Sequence, residues 1–108
     1  MSQKEETNIQ NIIRVELSKK RCLVFRCNVG NFYTKNGQEI KIGIVGHSDL
    51  YGVRPDGKAF FVECKTQTGE KRKAQEKFIA AVKSKNALAG FARSVEDALK
   101  IVFPEEYE

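Results

Sequence analysis

The stretch Gly46-His47-Ser48-Asp49-Leu50-Tyr51-Gly52-Val53-Arg54-Pro55-Asp56-Gly57-Lys58-Ala59-Phe60-Phe61-Val62-Glu63-Cys64-Lys65 decides how this chain is read. Arg54-Pro55-Asp56-Gly57 is a turn signal, and the β-prone runs on either side read as an antiparallel pair of strands. Asp49 lies seven residues before Asp56 and Glu63 seven after, so closing the turn makes two carboxylates cross-strand neighbours. On the second strand Glu63 and Lys65 leave from one face, while Cys64 between them points into the opposite layer. An acid and a lysine at the end of so apolar a strand are costly unless paired, so a metal ion or a salt bridge has to compensate. Two carboxylates and a main-chain carbonyl, such as that of Cys64, form the hard oxygen site that Mg2+ or Mn2+ prefers. The plainer reading of the same residues is a structural ion pair, Glu63 or Asp49 with Lys65.

Outward from this pair, Cys22 to Cys27 is a short apolar strand that stops at Asn28 and Gly30. Residues 31–34 and 40–44 flank Lys35-Asn36-Gly37-Gln38, where Asn-Gly provides the positive-φ turn of a hairpin, so a hairpin insertion is expected near residues 31–44. From Glu5 to about Lys20, the residues Ile9, Ile12, Ile13 and Leu17 recur at helical spacing. After Gly69, residues Ala74, Phe78, Ala81 and Val82 predict a second amphipathic helix from Glu70 to about Asn86. Gly90-Phe91-Ala92 precedes Ser94, the expected N-cap of a last helix carrying Val95, Ala98, Leu99 and Val102. The order is α-β-(hairpin)-β-β-α-β-α, an α/β chain with a mixed sheet flanked by helices. At 108 residues it is expected to form one domain over 1–108.

The residue inventory removes several chemistries. A single histidine forbids the two-histidine zinc motif and paired-histidine phosphodiesterase sites, and a Ser-His-Asp triad would need His47 to use its own neighbours Ser48 and Asp49. Neither the nucleoside-triphosphate nor the dinucleotide glycine motif is present, so no nucleotide cofactor is expected. Cys22, Cys27 and Cys64 lack zinc-ligand spacing and are odd in number, which suits thiols in a reducing compartment. No membrane span is expected, and the polar start points to the cytosol. The net charge of +5 conceals an asymmetry: residues 94–108 hold one lysine and five acids, leaving eighteen bases and nine acids, a net +9, for residues 1–93. Phosphate-rich partners fit that field.

Glu6, Arg26-Cys27-Asn28-Val29-Gly30, Gly46-His47-Ser48-Asp49-Leu50, Glu63-Cys64-Lys65 and Gln75, in that order, resemble the motif series of the virus-type replication-repair nuclease (VRR-NUC) family. That family belongs to the PD-(D/E)xK superfamily with its restriction-endonuclease-like core. Ser48 stands where the superfamily pattern has proline, and the hairpin looks like an insertion. The resemblance implies that Asp49, Glu63 and the Cys64 carbonyl bind the metal. It implies that Lys65 orients or deprotonates the attacking water and stabilises charge on the phosphate, and that Gln75 and Glu6 hold Lys65 or metal-bound water. Lys71, Arg72, Lys73 and Lys77, bases near the N-terminus of the helix that carries Gln75, are the expected DNA contacts together with Arg26 and Asn28 of the motif series. The activity the resemblance implies is metal-dependent, structure-selective endonucleolytic cleavage of DNA, at four-way (Holliday) junctions or related intermediates, by a homodimer. A flap or single-strand nuclease, or a catalytically silent DNA-binding domain, is the alternative.

Overall fold

A computed structural model describes residues 3–27, 30–42 and 46–107. The elements are α1 (Gln3–Lys19), β1 (Leu23–Arg26), β2 (Gly30–Tyr33), β3 (Glu39–Ile42), β4 (Leu50–Val53), β5 (Ala59–Cys64), α2 (Lys73–Lys83), β6 (Leu88–Ala92) and α3 (Val95–Val102), followed by a single 3-10 turn at Pro104–Glu106. β4 and β5 pair antiparallel as expected, with Leu50 opposite Val62 and Val53 opposite Ala59. Their turn closes through the Arg54 amide on the Lys58 carbonyl at 2.9 Å, and Gly57 supplies the φ of +89° that a side chain would resist. β1 adds antiparallel to the free edge of β4, and β6 adds parallel to β5 after the α2 crossover. The result is a four-stranded mixed sheet in the order β1-β4-β5-β6.

Alternation along β5 sorts the two faces. Phe60, Val62 and Cys64 are fully buried with Leu50 against Ile13 and Leu17 of α1 and Ala98 and Val102 of α3. Burying Phe60 alone is worth roughly 1.5–3 kcal/mol. Phe61 and Glu63 leave from the opposite face, where α2 packs, with Phe61 and Phe78 edge to face at 5.6 Å. α3 begins as expected: Ser94 Oγ accepts the Asp97 amide at 3.1 Å, and Asp97 Oδ2 accepts the Arg93 amide at 2.9 Å. Among the described residues no helix is long and apolar enough to cross a membrane.

Three local expectations are corrected. In α1 Ile12 is 54% exposed while Gln10 is buried. At about 100° per residue, Gln10 falls roughly 20° from Leu17 and 60° from Ile13 on one side of the helix, and Ile12 projects roughly 120° from the Ile13–Leu17 line. In α2 the buried residue is Ile79, with Phe78 and Val82 half-buried beside it, and Ala81 is exposed. The same helix starts at Lys73 rather than Glu70, because the Gln75 side chain accepts the Arg72 amide at 3.0 Å and fixes Arg72 as the extended N-cap. The expected hairpin is present as β2 paired with β3, turning through Thr34–Gln38 with Gly37 at φ +80°. Residues 43 and 44, also expected in it, lie outside the described residues.

Gly52 is fixed by proximity. A Cβ there would fall on the Leu23 carbonyl oxygen of β1 and 2.7 Å from Phe60 Cζ. Gly52→Ala should therefore cost about 1–3 kcal/mol by prising β1 from β4. Urea unfolding should show it as a lower midpoint at unchanged slope, and an unaltered midpoint would show that β1 yields without loss.

Candidate active site

Three segments far apart in sequence bring carboxylates to one point: Glu6 from the first turns of α1, Asp49 just before β4, and Glu63 near the end of β5. One carboxylate oxygen from each lies within 4.8 Å of the others. Asp49 and Glu63 continue the β4–β5 register one step past Leu50 and Val62, which is why the turn count located them. Glu6 is the half-buried acid that reaches them, and Glu5 faces a separate cavity with Asn8, Ile9 and Gln67. Glu6, expected to position water or Lys65, is thus a third carboxylate of the cluster itself.

Each acid is held by a different device. The Cys64 amide donates to Asp49 Oδ2 at 3.0 Å, and the Asp49 carbonyl accepts the Cys27 amide at 2.8 Å, so β1 and β5 clamp Asp49 from both sides. Cys64, whose carbonyl was expected as a further metal ligand, presents its amide to Asp49 and its thiol to the core. Gln75 Nε2 donates to Glu63 Oε1 at 3.0 Å, so Gln75 orients a carboxylate of the cluster. Its own oxygen is fixed by the Arg72 amide, which couples the start of α2 to the cluster. Gly46, at φ +88°, lets the chain pass against α2: a Cβ there would lie 2.6 Å from the Ala74 carbonyl carbon.

The electrostatics calls for a cation. Glu63 is 2% exposed and its Oε2 is buried with no hydrogen-bond partner. Burial first, then the negative charge of Asp49, push the Glu63 carboxyl up, with Glu6 adding to the shift and Lys65 opposing it. The Cys64 thiol is pushed up by burial and then by the same three carboxylates. Without an ion, a proton relieves the repulsion; a divalent cation would relieve it and satisfy the orphaned oxygen as well. All three donors are hard oxygens, so the residues present fit Mg2+ or Mn2+.

Beside the cluster, a pocket of about 340 Å³ is lined by Glu6, Lys65, Thr66, Gly69, Glu70, Lys71 and Arg72. Lys65 is only 7% exposed, and its amide bonds the Ala92 carbonyl at 2.8 Å, continuing the β5–β6 ladder. Lys71 and Arg72 form this wall ahead of α2 rather than on the helix, and Lys71 Nζ also sits 4.7 Å from the Phe91 ring centroid. Lys73 and Lys77 are on the exposed face of α2, away from the pocket lining, and Arg26 is exposed at the end of β1. Asn28 lies outside the described residues. Sequence reasoning missed Thr66, whose Oγ1 is buried without a partner, and Arg93, whose guanidinium donates to the Thr66 carbonyl and ties the end of β5 to the start of α3. Adjacency to the acid-x-lysine strand was the only signal for Thr66.

The fold has a counterpart among solved structures: a chain titled "VRR_NUC domain" superposes on 95% of this chain and 97% of its own, with a TM-score of 0.66 at 19% identity. The chain has the VRR_NUC fold. No protein-family model and no curated protein matches the sequence. At 19% identity the VRR_NUC likeness is one of architecture, the mixed sheet with helices on both faces expected from the motif order.

Proposed function

We propose that the protein is a metal-dependent DNA endonuclease that hydrolyses phosphodiester bonds of branched DNA, four-way (Holliday) junctions or related replication and repair intermediates. The observation that carries this reading is the cluster of Glu6, Asp49 and Glu63 beside Lys65, with a buried carboxylate oxygen that no group among the described residues satisfies. The likeness in fold to a structure titled "VRR_NUC domain" supports it. A divalent ion, Mg2+ or Mn2+, when bound by these oxygens, would supply Lewis acidity at the phosphate and acidify bound water.

The remaining chemistry belongs to the chain. Cys64 and Gln75 fix Asp49 and Glu63 in place before substrate arrives, so little reorganisation is needed during reaction. Lys65 Nζ, on the strand face of Glu63 and in the pocket wall, orients the attacking water and donates to negative charge developing on the phosphate. Lys71 and Arg72 in the same wall hold the backbone, and a net +9 over residues 1–93 brings it there. A homodimer would present two such sites to two strands. The exposed Leu23 and Phe25 on the edge strand β1 support self-association. The site of action would be the cytoplasm.

The test is a panel of four-way junction, flap, duplex and single-stranded DNAs with Mg2+, Mn2+ or EDTA. Cleavage should require metal and favour the junction, and Asp49→Asn should abolish it while leaving salt-sensitive binding largely intact. Wild-type protein inert on every DNA with both metals would overturn the nuclease reading, and equal cutting of linear duplex would remove the junction preference.

A further inference from the structure

The β2–β3 ribbon has no place in the chemistry above, yet it is tied to the site at both ends. It begins three residues after Cys27, whose amide holds Asp49, and ends four residues before Gly46, which abuts Ala74 at the start of α2. Among the described residues no other helix or strand makes more than a marginal contact with it. The radius of gyration is 14.5 Å, above the ~13 Å of a compact chain of this length. The long axis is 52 Å against 30 and 25 Å. A two-stranded ribbon standing by itself is stable only if its turn is locally strong or a partner covers it. Here the turn is locally strong: Thr34 and Gln38 pair backbone to backbone at 2.9 Å, Thr34 Oγ1 accepts the Gln38 amide at 3.1 Å, and Gly37 takes the positive φ.

The chemistry of the tip selects among partners. From Thr34 to Glu39 it holds no apolar residue, and Lys35 to Glu39 are exposed, so it offers nothing to the dry centre of a protein interface. Residues 30–42 contain two lysines and one glutamate, a net positive ribbon. A two-stranded ribbon is slim enough to enter a major groove ~12 Å wide. Because the ribbon follows Cys27 by three residues and precedes Gly46 by four, whatever it grips is tethered within roughly 10–14 Å of chain from the residues that hold the site.

We propose that the β2–β3 ribbon is a DNA-binding arm that lies in the groove of the duplex beside the carboxylate site, with Lys35 at its turn against a phosphate. This deepens the nuclease reading by naming a substrate contact, but its test reads binding and does not need cleavage. Fluorescently labelled 30-base-pair duplex and a four-way junction would be titrated with full-length protein in Ca2+ buffer. Three proteins would be compared: wild type, a variant with residues 31–41 replaced by Asn-Gly, and Lys35→Gln. The shortened arm should weaken binding to both DNAs at least tenfold while leaving the melting temperature and its rise with Mn2+ close to wild type. Lys35→Gln should weaken binding several-fold and flatten the slope of log K against log salt by about 0.9, the loss of one phosphate contact. Wild-type affinity and salt slope in folded variants would overturn the proposal. So would a shortened arm that converts a dimer to a monomer without changing DNA affinity. Should the shortened variant fail to fold, the salt slope of Lys35→Gln decides alone. Wild type that binds DNA but never cuts would sink the nuclease reading and leave the arm standing.

Discussion

Lys65→Met should lower kcat about a thousandfold on the best DNA substrate, at the upper end of what one preorganised donor contributes to a charged transition state. Lys65 is 7% exposed, so methionine keeps the packed stem and removes only the charge. KM should change little, because Lys71 and Arg72 still line the pocket that receives the backbone. Mn2+ should still raise the melting temperature, since the three carboxylates are untouched. A fall in kcat below fivefold would take Lys65 out of the chemistry.

Glu63→Gln should abolish cleavage and at the same time stabilise the metal-free protein at alkaline pH. The Glu63 carboxyl is raised from 4.5 to about 9 by burial and by Asp49, so the folded state holds its proton more tightly than the unfolded state does. The stability linked to this group is complete below pH 4.5 and is lost as pH climbs to about 9. In EDTA, wild type should therefore melt at progressively lower temperature across that interval, and Mn2+ should restore most at its upper end. The amide of the E63Q variant fills the same space without an ionisable group, so its melting temperature should vary far less. A pH profile as steep as that of wild type would assign the slope to other groups. Function here opposes stability: the acid that makes the site weakens the resting protein.

Much of this was legible in the sequence, because it rests on period-two alternation and one turn. Asp49 and Glu63 met where the count from Asp56 put them, and Ser94 capped α3. Errors arose where a side chain is governed by tertiary partners rather than periodicity. Gln75 matches its motif position, yet its partners, the Arg72 amide and Glu63, can be known only once α2 is docked on β5. Ile12 is apolar and correctly spaced for a broad stripe, but α1 meets the sheet along the narrower Ile13–Leu17 line. The Pro104–Glu106 turn carried no periodic signal. It is held by Arg54, which binds Asp56, Glu105 and the Val102 carbonyl while lying 4.9 Å from the Phe103 ring centroid. The three-acid cluster was half visible: two members follow from strand geometry, and the third needed the direction in which α1 runs.

Glu6 sits in the opening turns of α1, where the first amides of a helix have no intrahelical acceptor and unwinding costs least. Asp49 and Glu63 are anchored in the sheet and open only with the whole domain. Retention of any ion there would therefore be coupled to fraying of a single helical turn: such an ion could leave while the domain stays folded, and an occupied site would in turn stiffen the end of α1.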